Sequence, residues 1–462
     1  MSRPAVHPAI FPLTPASPLA SCSGAVPVAV ALFSVGALLV AVALLAGVPS
    51  PASAQAPGFD AEAEVRALME HPSVREAFRH IEENDPWTIA TLRELTQIPA
   101  PPFMEEVRGQ RFLELLQESG VDSTWVDDEG NVIGLRRGNG AGTMIFSGHL
   151  DTVFPEGTDV TIRENGDTLF APGIADDTRG LVAVLAVLRG MNAAEIQTDQ
   201  DIWFVGTVGE EGTGDLRGVK HLFREGSPDF SAFISIDGLG HSGVTNAGLG
   251  SHRYRVAFKG PGGHSWGAFG LGNPIHALGR AVAAFDAEAK RYTDNAARRT
   301  SYNVGTVGGG TSVNSIPFEA WMEIDMRSES PEALLEIDAV FQAAMRRGLE
   351  EANAVRARGE ELTLEITMIG NRPSGETPED HPFIQRALAA TELMGGITSL
   401  RRSSTDSNTP ISLGIPSVTI GGGGAGGGAH SLAEFFMNHE GPRGIQRALL
   451  ILVSQAGMVP VM

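Results

Sequence analysis

The chain predicts an α/β architecture with an inserted second domain, on three observations. Short apolar runs alternate with longer amphipathic stretches over its first half and near its end, which argues for a sheet with helices on its faces. Between residues 249 and 370 the order changes and spells β-α-β-β-α-β, a complete ferredoxin-like unit. Several short stretches rich in histidine and carboxylate each lie at or just after an apolar run, as residues do when strand ends build a site.

In chain order, residues 61–83 read as one helix, with Leu68, Val74, Phe78 and Ile81 near helical spacing. Asn84-Asp85-Pro86 interrupts it, a second helical stretch covers 87–96, and prolines 99, 101 and 102 end that one. An amphipathic helix at 105–119 and a turn at 127–131 precede strand-like sequence at 132–135. Strands are expected at 144–147, 202–208 and 233–236, with a buried helix at 178–191. The insertion reads as strand 253–259, helix 274–290, strands 301–307 and 318–327, helix 331–354 and strand 362–368. A helix at 382–394, a strand at 417–420 and a helix at 443–455 resume the first pattern. Residues 421–428 hold seven glycines in eight and are read as a loop whose bare backbone lets a substrate approach closely. The expected division is a catalytic domain in two parts, 55–248 and 371–462, around a lid at 249–370.

Residues 1–54 are unlike the rest, with Arg3 as the one formal charge and an apolar run at 26–48. Ala52-Ser53-Ala54 resembles a signal-peptidase site, so export with cleavage near Ala54 is expected. The alternative is a retained anchor, since the run is long enough to span a bilayer. Leu19-Ala20-Ser21-Cys22 resembles a lipoprotein box, but the apolar run follows Cys22 where it should precede it. Cys22 is the chain's single cysteine, so the mature chain would hold neither a disulfide nor a thiolate ligand. The net charge is −21 with no basic stripe, which argues against nucleic acid and anionic membranes as partners.

The chemistry-bearing stretches are GHLD at 148–151, GIADD at 173–177, GEEG at 209–212, SIDG at 235–238 and GAHSLAE at 428–434. Taken singly each is bland: a lone His-x-Asp is most often a hydrogen-bonded pair, and adjacent acids are most often a solvated face. Here both follow apolar strands, where unpaired carboxylates are costly and a cation would offset that cost. Histidines and acids without thiolates suit zinc, manganese or cobalt. Together they point to a hydrolase that activates water with two divalent metals.

From about residue 95 onward, the order and spacing of these motifs and the inserted unit resemble the M20 family of metallopeptidases. The resemblance implies that Asp176 bridges two metals, that His149 and Glu211 sit on different ones, and that Asp237 and His430 complete the set. It also implies a cis peptide at Asp176–Asp177. Glu210 would be the general base, and Asp151 would orient the His149 imidazole. In the lid, the Gly262-Gly263-His264-Ser265 segment matches the family's oxyanion-stabilising histidine, His264, often supplied by a partner subunit. Asn314 and Arg327 match its substrate-binding asparagine and arginine. Arg372 is a further candidate for a substrate carboxylate, because a guanidinium fork fits one. The implied substrates are short peptides or N-acyl amino acids, and the implied assembly is a homodimer through the lid. Thr178-Arg179-Gly180 departs from the family, which has Lys-Gly there.

Gly263-His264-Ser265-Trp266-Gly267 is also a formal G-x-S-x-G, and Asp406 and His430 follow in serine-hydrolase order. A nucleophile elbow must run straight into a helix, and Gly267, Gly270, Gly272 and Pro274 delay one. Residues 238–243 form a G-x-G-x-x-G with no helix opening after it, which argues against a dinucleotide. A non-catalytic binding protein on the same scaffold would be marked by lost ligands, and all are present.

Overall fold

The computed structural model describes residues 59–459; the expected leader or anchor and Cys22 lie outside the described residues. Among the described residues no helix is long and apolar enough to cross a membrane.

The main layer is a mixed sheet whose path runs Ser123–Val126, Val132–Arg136, Asp201–Thr207, Thr143–His149, Phe230–Ile236, Ser417–Ile420, Val244–Gly248 and Gly375–Glu376. Leu400–Ser403 pairs beside Val244–Gly248. Thr143–His149 is parallel to both its neighbours, and Phe230–Ile236 is parallel to Ser417–Ile420. Four strands therefore end on one edge, which is why their motifs converge. These strands are continuous apolar runs because both faces are covered. The helices Arg179–Ala193 and Gly441–Ala456 cover one face and are themselves almost wholly buried, while Leu216, Val219 and Leu222 pack on the other.

The inserted unit has the expected order: Gly250–Lys259, Pro274–Thr293, Thr300–Gly309, Glu319–Ser328, Pro331–Ala354 and Thr363–Arg372. Its sheet runs Thr300–Gly309, Glu319–Ser328, Gly250–Lys259, Thr363–Arg372, each neighbour antiparallel. Val256, Phe258, Phe285, Met322 and Phe341 form a core of its own under the two helices. The last strand continues to Arg372, past the expected end of the lid at residue 370.

Two expectations need correction. The helix expected at 61–83 is two, Ala61–Glu70 and Pro72–Glu83. A residue before proline is pushed out of the helical region, and His71 duly sits at ψ 135° with its side chain capping Ser73 N. The glycine segment is only partly a loop. Ala425–Gly427 is a strand paired with Phe435–Met437, in a small sheet with Thr168–Phe170 and Arg163–Asn165. A Cβ on Gly426 would lie 2.2 Å from the Phe435 carbonyl oxygen, so a side chain there would break that pairing.

Candidate metal centre

Parallel strand ends bring the first ligands together. His149 closes Thr143–His149, and Glu210 and Glu211 follow Asp201–Thr207. Asp237 follows Phe230–Ile236, and His430 hangs from the glycine segment after Ser417–Ile420. Asp176 lies in the irregular turn Ile174–Thr178 that opens the buried helix, and its bond to Asp177 is cis, as the resemblance implied.

The two carboxylate oxygens of Asp176 face different imidazoles. His149 Nε2 lies 3.1 Å from Oδ1 and His430 Nε2 lies 3.1 Å from Oδ2. His430 Nε2 is also 3.0 Å from Glu211 Oε1. Two groups of donor atoms thus form around one shared carboxylate: His149, Asp176 and Asp237, and Asp176, Glu211 and His430, with the atoms of each group within 4.8 Å. A third group, His149 with Glu210 and Glu211, meets the same distance, so proximity alone does not separate Glu210 from the ligands. Arg372 does. Its Nη1 donates to Glu210 Oε1 at 3.1 Å and its Nη2 donates to the Glu210 carbonyl, so this acid is held by a cation of the chain itself.

The titration of the cluster fits a site built for cations. Burial and the adjacent Asp176 push Asp237 up to about 7. Burial likewise raises Glu211. Hydrogen bonding to Asp176, with the Glu211 charge beside it, lifts His430 to about 9. Burial works against a charged His149, but hydrogen bonds to Asp151 and Asp176 outweigh it and leave the imidazole well above its ordinary value. Protons therefore gather where divalent metals would neutralise the carboxylates, and metal binding would release them. Burial pushes Glu210 well above the usual carboxylate range, with Arg372 and His149 opposing and Glu211 and Asp237 adding to it.

The surrounding carboxylates hold backbone in place. Asp151 meets His149 Nδ1 through its carbonyl at 3.0 Å, and its Oδ1 stands 3.6 Å off. Its carboxylate accepts from Glu210 N at 3.0 Å and Glu211 N at 2.8 Å, so one residue fixes both the imidazole and the paired acids. Asp177 accepts from His149 N at 3.0 Å and Gly180 N at 3.1 Å. Glu434, fully buried, accepts from Gly173, Ala175 and Asp176 amides at 2.8–3.0 Å and so shapes the turn that carries Asp176. Asp177 and Glu434 lie inside the sequence motifs, but their tasks depend on backbone amides that only the fold brings to them. An acid recurring inside a ligand motif, next to glycines with free amides, was the available signal. Arg179 is buried and donates to Gly422 O and Gly441 O, so it clamps the glycine segment and does not face the cluster.

His264, Asn314 and Arg327 make their hydrogen bonds within the lid. His264 is exposed, and its Nδ1 accepts from the Trp266 and Gly267 amides at 3.2 and 3.3 Å, which leaves Nε2 free to carry the proton. Asn314 Oδ1 accepts from Ser312 Oγ at 2.6 Å, and Arg327 Nε donates to Asp325 Oδ2 at 2.8 Å. Arg372 is occupied by Glu210 and by Ser404 Oγ at 3.1 Å, while its buried Nε has no partner. The serine-hydrolase alternative finds no support: Ser265 lies in a turn, Asp406 bonds Thr207, and His430 bonds Asp176.

A model of peptidase family M20/M25/M40 matches residues 145–453. The chain is 25 % identical over 333 residues to carboxypeptidase G2 of Pseudomonas sp. (strain RS-16), a match covering 69 % of this chain and 76 % of that protein. A shorter match is 33 % identical over 124 residues to a protein of Pyrococcus abyssi provisionally named a LysW-lysine/LysW-ornithine hydrolase; it covers 27 % of this chain and spans only 33 % of that protein. In fold the chain resembles aminopeptidase PepT from Bacillus cereus ATCC 10987, with a TM-score of 0.64 and 21 % identity over 80 % of this chain and 98 % of that one. With two thirds of its length matched by the family model, and with the motifs and inserted domain in place, the chain belongs to peptidase family M20/M25/M40.

Proposed function

We propose that this family member is a dinuclear metal-dependent exopeptidase or N-acyl-amino-acid amidohydrolase acting on short substrates with a free carboxylate. The single observation that carries this reading is Asp176, shared between two groups of ligand atoms with a paired-off acid, Glu210, beside them. His149, Asp176, Asp237, Glu211 and His430 would hold two divalent cations, whose charge would acidify a water and polarise a carbonyl. Zinc, cobalt and manganese all suit these donors. Glu210 Oε takes the proton of the attacking water and returns it to the leaving amine. Asp151 keeps the His149 ring and the Glu210–Glu211 backbone in register through the contacts above. The names of the relatives, a carboxypeptidase and an aminopeptidase, support short peptides as substrates.

Arg327 and Arg372 are proposed to read the substrate carboxylate, Arg372 by exchanging Glu210 for substrate, and Asn314 to hold the substrate's polar backbone. His264 is proposed to act on the carbonyl oxygen from the partner subunit of a homodimer. The exposed Trp266, Phe269, Val313 and Phe318 around it support a face made for a second surface. The apolar run at 26–48 and the small residues at 52–54 support export with cleavage; N-terminal sequencing of the secreted protein checks that, and a retained leader would favour the anchor. The overall reading is tested by a screen of di- and tripeptides and N-acyl amino acids, before and after chelation. Turnover that disappears with the chelator and returns with zinc, cobalt or manganese is expected; turnover indifferent to the chelator, with Ser265 labelled by a fluorophosphonate, contradicts it.

A further inference from the structure

Two strands cross from the main sheet into the lid. Val244–Gly248 leads through Leu249 into Gly250–Lys259, and Thr363–Arg372 leads back through Pro373 towards Gly375–Glu376. At each crossing the chain leaves one sheet for another. A backbone carbonyl at such a crossing still needs a donor.

One side chain serves both. The amide nitrogen of Asn408 donates to Leu249 O and to Pro373 O, each at 2.9 Å, while its Oδ1 accepts from Thr405 N at 3.0 Å. Asn408 is fully buried, and a Cβ on Gly248 would come within 2.9 Å of its side chain. An amide nitrogen carries two N–H groups, so it can bond two carbonyls at once; a carboxylate or hydroxyl of similar size cannot. Arg402 Nη1 donates to Gly248 O at 2.9 Å and Gly375 O at 3.2 Å, at the main-sheet ends of the same two crossings.

The rest of this short segment reaches the metal-capable cluster. Ser404 Oγ accepts from Arg372 Nη1 at 3.1 Å, and that guanidinium also holds Glu210. Asp406 Oδ2 lies 2.5 Å from the hydroxyl of Thr207, the last residue of the strand that leads to Glu210. Residues 402–408 thus bind both crossings on one side and the support of the proposed base on the other.

We infer that Asn408 is a positioning residue that ties the two crossing strands to each other and to the 402–408 segment, and so sets where the lid stands over the site. The inference rests on the crossing geometry and not on the hydrolytic reading, so its first readout is a distance. In the full chain carrying Cys22→Ser, cysteines at exposed Leu335 on the lid and Ile397 on the main layer accept spin labels for double electron–electron resonance. Asn408→Ala and Arg402→Ala are each expected to shift or broaden the lid-to-layer distance distribution. Asn408→Ser, which can serve at most one of the two carbonyls, is expected to fall between them and the parent. Metal content should stay at the parent level, and KM should rise about tenfold with a smaller change in kcat. A distribution for Asn408→Ala superimposable on the parent's overturns the inference, whatever happens to turnover. If Asn408→Ala does not fold, Asn408→Ser and Arg402→Ala carry the same comparison.

Discussion

In the metal-capable cluster, the carboxylates of Asp151, Asp177 and Glu434 are taken up by backbone amides, and the imidazoles of His149 and His430 by Asp176. In the lid, His264 caps its own turn, Asn314 bonds Ser312 and Arg327 bonds Asp325, while Trp266 and Phe269 stand 88 % and 82 % exposed. The first region is complete within one chain. The second has side chains suited to a substrate or a second surface and meets neither within its own chain. We propose metal chemistry for one region and the finishing of the site for the other, and each proposal can be broken separately.

The largest expected effect lies inside the cluster. Glu210→Gln should keep the metals and lose about two to four orders of magnitude in turnover, the usual span for a general base. Glu211→Gln should lose metal instead. Equal metal loss in both variants, read by elemental analysis, would erase the distinction that Arg372 draws between these neighbours.

Next comes the lid. His264→Ala and Glu210→Ala homodimers should each be nearly inactive. Mixing dissociated subunits should restore turnover, because some heterodimers pair an intact Glu210 with the partner's intact His264. A donor to a developing oxyanion commonly contributes about 2.7–4 kcal/mol, so the recovery should be easy to see. Verified heterodimers as inactive as their parents would place His264 in its own subunit or leave it a turn residue.

Arg372 sharpens the boundary between the two regions, since it ends a lid strand yet holds Glu210. Amidating the substrate carboxylate should slow the parent enzyme far more than an Arg372→Met variant. Equal cleavage of amidated and free substrates by the parent would remove the carboxylate-reading role.

The smallest effect concerns stability. Burial raises Asp406 to about 6 from 3.8, so the folded state holds its proton more tightly than the unfolded one. Its contribution is full below about 4 and is lost as pH rises through about 6. Thermal melts of Asp406→Asn should therefore fall less than the parent's across that window. Parallel slopes would show that Asp406 is ionised throughout.

Much of this contrast was legible in the sequence. Apolar runs ending in acids and histidines located the strand ends, and the β-α-β-β-α-β order located the lid, because both depend on local patterning. What escaped depends on distant partners. Glu434 reads only as the last acid of GAHSLAE, and its task appears when Gly173 and Ala175 offer it their amides. Asn408 is one polar residue among several until both crossings are found on its amide. Arg372 reads as a free carboxylate fork, and only the folded chain reveals Glu210 in its grip. Ala425–Gly427 reads as loop because glycine carries no strand signal, although its pairing needs the missing side chain.

The central claim is that one carboxylate, Asp176, joins two metal sites. Metal stoichiometry by inductively coupled plasma mass spectrometry tests it most directly, on the parent and on Asp176→Ala after equilibration with zinc. The account predicts about two metals per parent chain, as the shared-ligand arrangement requires, and loss of both in the variant. A single metal in the parent, or a variant that keeps both, would contradict it.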